Sequence, residues 1–355
     1  MQQDSRGDVY VGMDYHKDNV QVCVLDAAGK VLLNRSLPND RRTITSAVAA
    51  TGMPRRAAME ACGGAAHLAQ ELVDHEQGSV ELAHPGYVNR MKQSPDKTDF
   101  SDARLLADLT RVGYLPRVWL APPYLRELRS LVRYRQQQVN YRRSVKLRLL
   151  ALLREHRLRP GGPIRAWTRL WLRWLHEEGL ARLPESCRWI LKRHLRALMQ
   201  STEEVDAAEE RLRKHTHGDP VVERLLGEPC VGEVTAWVLR AEIGRFDRFS
   251  RPKALSRFCG LSPWNASSGQ RQADAGLIKA GSNLLRATLI ELAHRLGRCE
   301  PHWIEMNHRL REAGKSGSVA AAAVANRWVR GLWHRMQEIP MMAEDGGELV
   351  SPVGA

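Results

Sequence analysis

The residues best suited to chemistry in this sequence are four carboxylates, Asp14, Glu60, Asp99 and Asp102. Asp14 closes the segment Val9-Tyr-Val-Gly-Met-Asp14, which reads as a strand, and Glu60 closes a shorter one, Ala57-Ala-Met-Glu60. Asp99 and Asp102 stand three apart at the start of a segment with helical spacing, so they share one helix face with Cβ atoms roughly 5 to 6 Å apart. Taken singly they have structural readings: Asp14 can finish a turn, and Asp99 can cap the helix that contains Asp102. Together, two strand-end acids and a helix-start pair can converge at one sheet edge as an oxygen cage for Mg²⁺ or Mn²⁺. Ions held that way can clamp a phosphodiester for in-line displacement. The pair Ser267-Ser268 before Gly269 is a second candidate. A serine hydroxyl serves as nucleophile where a neighbour takes its proton, and the following glycine lets substrate approach the backbone.

Several elements must position these groups. Residues 9–14, 19–25 and 31–37, with the turn signal Asp26-Ala-Ala-Gly-Lys30, predict an antiparallel meander. A helix over about 42–50, the strand 57–60, the pair Gly63-Gly64, a helix to His75, a strand over 80–83 and an irregular His84-Pro-Gly stretch extend it into an α/β layer. Apolar spacing over 101–111 predicts the helix that carries Asp102, and Pro116, Pro122 and Pro123 then break the chain. Residues 125–157 read as a long arginine-rich helix with Leu128, Leu131, Val132, Val139, Leu149, Leu150 and Leu153 as its apolar stripe, suited to a coiled-coil arm. After the linker Pro160-Gly-Gly-Pro163, Trp167, Trp171 and Trp174 form one face of a further helix, read as core packing rather than base stacking. A charged helix is expected over 203–216, a domain boundary at Gly218-Asp-Pro220, and a helix–glycine turn–helix over 225–244. A loop-rich module over 258–280, helices over 283–295 and 319–337, and a tail over 341–355 complete the chain. The domains expected are 1–120, 121–217 and 218–340.

The 355 residues, 43% hydrophobic and 26% charged, exclude a short peptide scaffold and a wholly disordered chain. No apolar run approaches the roughly 18 residues of a membrane span and the N-terminus has no secretory apolar region, so a cytoplasmic location is expected. Six scattered cysteines contain no CxxC pair, which argues against a zinc ribbon or a redox pair. The net charge of +14 is concentrated: residues 104–200 hold 22 Lys and Arg against 6 Asp and Glu, a local excess of 16, so the remainder sums to −2. Such a concentration suits a polyanion, because each neutralised phosphate releases counterions. Nucleic acid is the expected partner, with Arg142, Arg143, Lys146 and Arg148 among its contacts.

On these residues the chain resembles the insertion-sequence family 110 transposases, which include the Piv-type DNA invertases. The matching elements are Gly12-Met-Asp14, Met59-Glu60, Lys97-Thr-Asp99-Phe-Ser-Asp102-Ala103 against the family's KTDxxDA, and, further on, Ala241-Glu-Ile-Gly244, Gly260-Leu-Ser-Pro263, Ser268-Gly269, Gly276-Leu-Ile-Lys279 and Leu285-Arg286. The resemblance implies a RuvC-like ribonuclease H fold carrying the catalytic and metal-binding tetrad Asp14, Glu60, Asp99 and Asp102. It is expected to be followed by central long arginine-rich helices and a mostly helical transposase domain. Counting from Pro263 makes Ser268 the family's nucleophile, with Ser267 as its rival. The implied activity is DNA transposition or inversion through a phosphoserine ester, with Mg²⁺ or Mn²⁺ as cofactor and DNA as substrate. A noncoding guide RNA, a homo-oligomer joined through the 125–157 helix, nucleoid association in a bacterium, and nucleic-acid contacts at Lys279 and Arg286 are further expectations. The chain departs from the family at Pro229-Cys-Val-Gly232, where PGIG is usual, and at Lys279-Ala-Gly-Ser282, where KxGN is usual. The runner-up readings are a metal-dependent structure-specific nuclease and an inactive nucleic-acid-binding relic.

Overall fold

The computed structural model describes residues 8–75, 79–92, 98–265, 274–278 and 281–337, which fall into two compact units divided between Ala121 and Pro122. The N-terminal unit contains β1 (Asp8–Tyr15), β2 (Asn19–Asp26), β3 (Val31–Pro38), α1 (Arg41–Ala49), β4 (Met53–Glu60), α2 (Ala65–His75), β5 (Val80–Ala83), α3 (Pro85–Met91), α4 (Asp99–Arg111) and β6 (Arg117–Val118). They build a six-stranded sheet of order β3-β2-β1-β4-β5-β6. β1, β2 and β3 form the antiparallel meander. β4 and β5 continue it in parallel to β1, and β6 closes the edge antiparallel to β5.

Alternation along the strands sends successive side chains to opposite faces. Val9, Val11 and Met13 of β1 and Val20, Val22 and Val24 of β2 pack with Ile44, Val48, Leu68 and Leu72 of α1 and α2. On the other face, Cys23 and Leu25 meet Ala103 and Ala107 of α4. Both faces are therefore covered, and β2 is buried along most of its length. Gly12 permits the close approach of α4: a methyl group there would overlap the Ala103 carbonyl oxygen and the Ala107 nitrogen. β4 begins at Met53 rather than at residue 57, because its pairing with β1 already starts at Asp8 opposite Met53. The His84-Pro-Gly stretch is a helix start, not an irregular segment. His84 Nδ1 accepts from the Gly86 amide at 3.1 Å, and Pro85 occupies the first turn, where no amide is needed.

The second unit is mostly helical. Its frame is α5 (Pro123–Glu155), 33 residues or about 50 Å long at 1.5 Å per residue, and α7 (Glu185–His215), 31 residues. They pair antiparallel: Tyr124 stacks on His215 with ring centroids 4.7 Å apart, the Tyr134 hydroxyl donates to Glu204, Arg135 binds Glu209, and Leu149 and Leu153 share a core with Leu191. Leu191, Ser201, Val205, Ala208 and Leu212 are the buried positions of α7, in steps close to multiples of three and four. The coiled-coil stripe of α5 is thus covered by α7 of the same chain.

The turn of this hairpin is filled by α6 (Arg169–Trp174) and a π-helical turn (Leu175–Gly179), whose Trp171, Trp174 and Leu175 join Leu149, Leu153 and Leu191. Tryptophan here is core, as the spacing suggests. Trp167, however, precedes the helix with φ 73°, and the Lys146 ammonium lies over its ring. The charged helix expected from residue 203 is the second half of α7.

The remaining elements are α8 (Pro220–Leu226), α9 (Glu233–Ile243), α10 (Pro252–Phe258), the two-stranded ribbon β7 (Pro263–Asn265) and β8 (Asp274–Leu277), α11 (Asn283–Cys299), α12 (Pro301–Glu312) and α13 (Gly317–Arg335). Asp219 ties this group to the hairpin. Its Oδ1 accepts from the Val221 and Val222 amides at the start of α8, while its Oδ2 accepts from Arg240 of α9 at 2.7 Å and from the Tyr124 hydroxyl of α5 at 2.9 Å. Both Asp219 and Arg240 are buried. Removing one partner of a buried ion pair strands the other's charge and costs about 3 to 5 kcal/mol. Asp219→Ala is expected to lose stability on that scale in urea unfolding, and a loss under about 1 kcal/mol, the ceiling for an exposed pair, would refute it.

Candidate metal centre and nucleic-acid interface

The parallel ladder sets Gly12 beside Ala58 and Met13 beside Met59. One residue further, Asp14 and Glu60 stand at the ends of neighbouring strands, on the face that Gly12 and Ala58 present to α4. Because α4 lies flush on Gly12, its first turn, with Asp99 and Asp102, comes to the same edge. Thr98 is the cap of α4, not Asp99: its hydroxyl accepts from the Ser101 amide, and Ser101 returns the bond to Thr98 in a capping box. Asp99 is left free for other contacts, and the partial positive charge of the helix start favours both acids.

Asp14 Oδ2 and Asp99 Oδ2 lie 3.4 and 3.2 Å from the same atom, His16 Nε2. These three donors all fall within 4.8 Å of one another. Asp102 is turned differently: the Lys92 ammonium lies 2.7 Å from both of its oxygens, and both side chains are largely buried. Glu60 belongs to the same neighbourhood. The Cys62 thiol is pushed up mainly by burial, eased by its hydrogen bond with the Ala65 backbone, and raised further by the charges of Glu60 and Asp14. The structure therefore brings Asp14, Asp99 and Asp102 into mutual range, with Asp14 and Asp99 converging on an imidazole and Asp102 on an ammonium, while Glu60 stands at the end of the neighbouring strand. His16 and Lys92 were absent from the sequence reading. The spacing Asp14-x-His16 beyond a strand end is a usable signal for the first, whereas nothing local marks Lys92, which follows α3.

The electrostatics fit a cation. Burial raises the Asp14 carboxyl above its ordinary range, His16 opposes the rise, and the charges of Asp99 and Asp102 add to it. Two hard oxygens and one imidazole nitrogen, partly desolvated and carrying surplus negative charge, are a donor set that a divalent ion would neutralise. A carboxyl whose folded-state pKa is raised costs nothing below the unfolded value near 3.8, and destabilises the fold as pH rises through the folded value. Metal-free Asp14→Asn is expected to melt above wild type at pH 7, with the gain vanishing at about pH 3, where Asp14 is protonated in both states. Thermal scans at the two pH values check this; an unchanged or lower midpoint at pH 7 would contradict it.

The second unit supplies the cations. Arg143 and Arg148 are exposed on α5, Arg142 is half-buried, and Lys146 is engaged with Trp167. On α7, Trp189 is 60% exposed with the Arg193 guanidinium 5.0 Å from its ring centroid, a stacking surface that the sequence reading passed over. Arg286, in the first turn of α11, bonds to Asn283. Ser267, Ser268 and Lys279 lie outside the described residues. The serines belong to the connection between β7 and β8, whose ends pair Asn265 with Asp274. At the two departures from the family pattern, Cys230 adopts φ 60°, the left-handed region where glycine is at ease, and Gly281 has φ 74° with no room for a methyl group against the Phe258 carbonyl. Cys230 thus carries the strain of the substitution, while Gly281 retains the residue its backbone requires.

A cluster of carboxylates at the strand ends of an α/β sheet, in a chain with a strongly basic helical unit, is the arrangement expected of an enzyme that processes nucleic acid. Residues 11–157 match a DEDD family of the IS110 type, described as a transposase, and residues 222–308 match the transposase IS116/IS110/IS902 family. The chain is 29% identical over 287 residues to the transposase for insertion sequence element IS1111A of Coxiella burnetii, covering 81% of this chain and 77% of that one. It is 26% identical over 339 residues to the transposase for insertion sequence element IS1328 of Yersinia enterocolitica, covering 91% and 95%. The chain belongs to the IS110 family of transposases, enzymes that cut and rejoin DNA. A divalent metal is implied by that membership. Among the described residues, no helix is long and apolar enough to cross a membrane.

Proposed function

We propose that this transposase recombines the ends of an insertion sequence through a phosphoserine intermediate on Ser268, assisted by Mg²⁺ or Mn²⁺ at the carboxylate edge. The observation that carries the reading is the convergence of Asp14, His16 and Asp99, with Glu60 and Asp102 beside them. The strand order, a meander extended by two parallel strands, supports a RuvC-like ribonuclease H fold for the first unit. Asp14 and Asp99 would hold the cation, with Glu60 and Asp102 as the further carboxylates of the tetrad and Lys92, now bound to Asp102, as a nearby positive charge for a phosphate. When bound, the ion supplies Lewis-acid polarisation of a phosphate oxygen and neutralises developing charge.

Ser268 Oγ loses its proton to a neighbouring base, forms a bond to phosphorus, and a P–O bond to one DNA strand breaks, its hydroxyl taking up a proton. Attack by a hydroxyl of another strand reverses the exchange, and no external energy source is consumed because one ester replaces another. DNA, together with a noncoding guide RNA, lies along the basic helices. Arg142, Arg143, Lys146 and Arg148 hold phosphates, Trp189 stacks on an unpaired base, and Lys279 and Arg286 add contacts from the C-terminal module. A homo-oligomer is the working assembly.

Trapping suicide DNA substrates and locating the attached residue by mass spectrometry tests the mechanism. The expected attachment is at Ser268, and Ser268→Ala abolishes it. Metal-dependent cutting with no adduct at Ser268 or Ser267 would replace this mechanism with a simple nuclease. For the interface, Arg143→Glu with Arg148→Glu is expected to weaken binding across sequences and to reduce the slope of log affinity against log salt by about one per lost contact. An unchanged slope would remove α5 from the interface.

A further inference from the structure

We infer that His16 is itself a metal ligand, which makes the site a mixed nitrogen–oxygen centre that favours Mn²⁺ over Mg²⁺; the inference rests on the metal reading above. Adjacent donors on one ion at bond lengths of about 2.1 Å lie about 3 Å apart when the bonds meet near right angles. His16 Nε2 stands 3.4 and 3.2 Å from Asp14 Oδ2 and Asp99 Oδ2, close to that separation. The imidazole lies between the two carboxylates and its side chain is 43% exposed, which leaves an ion a route to it.

The backbone that carries His16 is braced. His16 lies in the turn between β1 and β2, where its amide donates to the Asn19 carbonyl at 2.9 Å. Asn39, just beyond β3, donates from Nδ2 to the carbonyls of His16 at 3.0 Å and Lys17 at 3.1 Å, and its amide donates to Asp18. Such bracing holds a ligand in place before the ion arrives, as outer contacts do at metal sites. Mg²⁺ prefers oxygen and keeps its waters, whereas imidazole suits transition ions, so a nitrogen in the set shifts preference toward Mn²⁺.

The test uses the full-length protein with Mn²⁺ alone. Electron spin-echo envelope modulation detects nitrogen bound directly to Mn²⁺, and Mn²⁺ affinity is measured alongside with Mg²⁺ as competitor. Wild type is expected to show the nitrogen coupling. His16→Ala should lose it and bind Mn²⁺ at least about tenfold more weakly, the smaller effect typical of removing even an outer contact, with a lesser change for Mg²⁺. Bound Mn²⁺ without nitrogen coupling in wild type, a result that needs no variant to fold, would overturn the role of His16 and leave the carboxylate site standing. Coupling that persists in His16→Ala would assign it to another imidazole and likewise overturn the inference. Wild-type protein that binds no Mn²⁺ would overturn the metal reading on which it rests.

Discussion

Like charges do not gather unless a structure compels them, and the N-terminal unit compels Asp14, Asp99 and Asp102 into mutual range. The compulsion comes from packing. Burial of the valines of β1 and β2 against α1 and α2 fixes which face each strand turns outward, and Gly12 then lets α4 settle directly on the opposite face. Asp14 and Asp99 acquire their proximity from that contact, and the Asp14 carboxyl is raised first by its burial and further by the charges of Asp99 and Asp102. His16 and Lys92 offset part of the repulsion, and a divalent ion would offset the rest.

The second unit solves another problem, the display of many cations on a stable frame. Its two long helices pack their apolar stripes together, and on α7 Glu209 meets Arg135 of α5 while Glu204 accepts from the Tyr134 hydroxyl. Where α5 and α7 approach their connected ends, acidic partners thin out, and the Lys and Arg residues within 142–148 and 188–196 supply 8 of the local excess of 16. Asp219 and Glu228 are the opposite case. They are buried acids paired with arginines, Asp219 with Arg240 and Glu228 with Arg224 and Arg335, and they hold α8, α9 and α13 to the same body.

Much of the first unit was legible because its signals are local. Alternation marks β1, β2 and β3, and the end of each strand marks Asp14 and Glu60. Periodicity marks α4, though Thr98 took the capping role that Asp99 also suits, since the capping box with Ser101 satisfies two groups at once. What escaped was set by distance in space. Lys92 reaches Asp102 from the end of a different helix, and His16 acquires meaning only when α4 brings Asp99 to it. The first half of α7 was hidden because Arg188, Lys192, Arg193 and Arg196 dilute a stripe whose partner is α5, not a neighbour in sequence. Trp167 fits the helical spacing of Trp171 and Trp174, yet its backbone turns left-handed and leaves the helix.

The sheet edge is expected to hold a divalent ion between Asp14 and Asp99. Anomalous diffraction from crystals of the protein grown with Mn²⁺ addresses it most directly, because the ion's position is read without reference to activity. The expected result is a peak within bonding distance of Asp14 Oδ2 and Asp99 Oδ2, at roughly 2.0 to 2.3 Å. A peak elsewhere in the chain, or none at this edge in crystals whose protein still cleaves DNA with Mn²⁺, would contradict it.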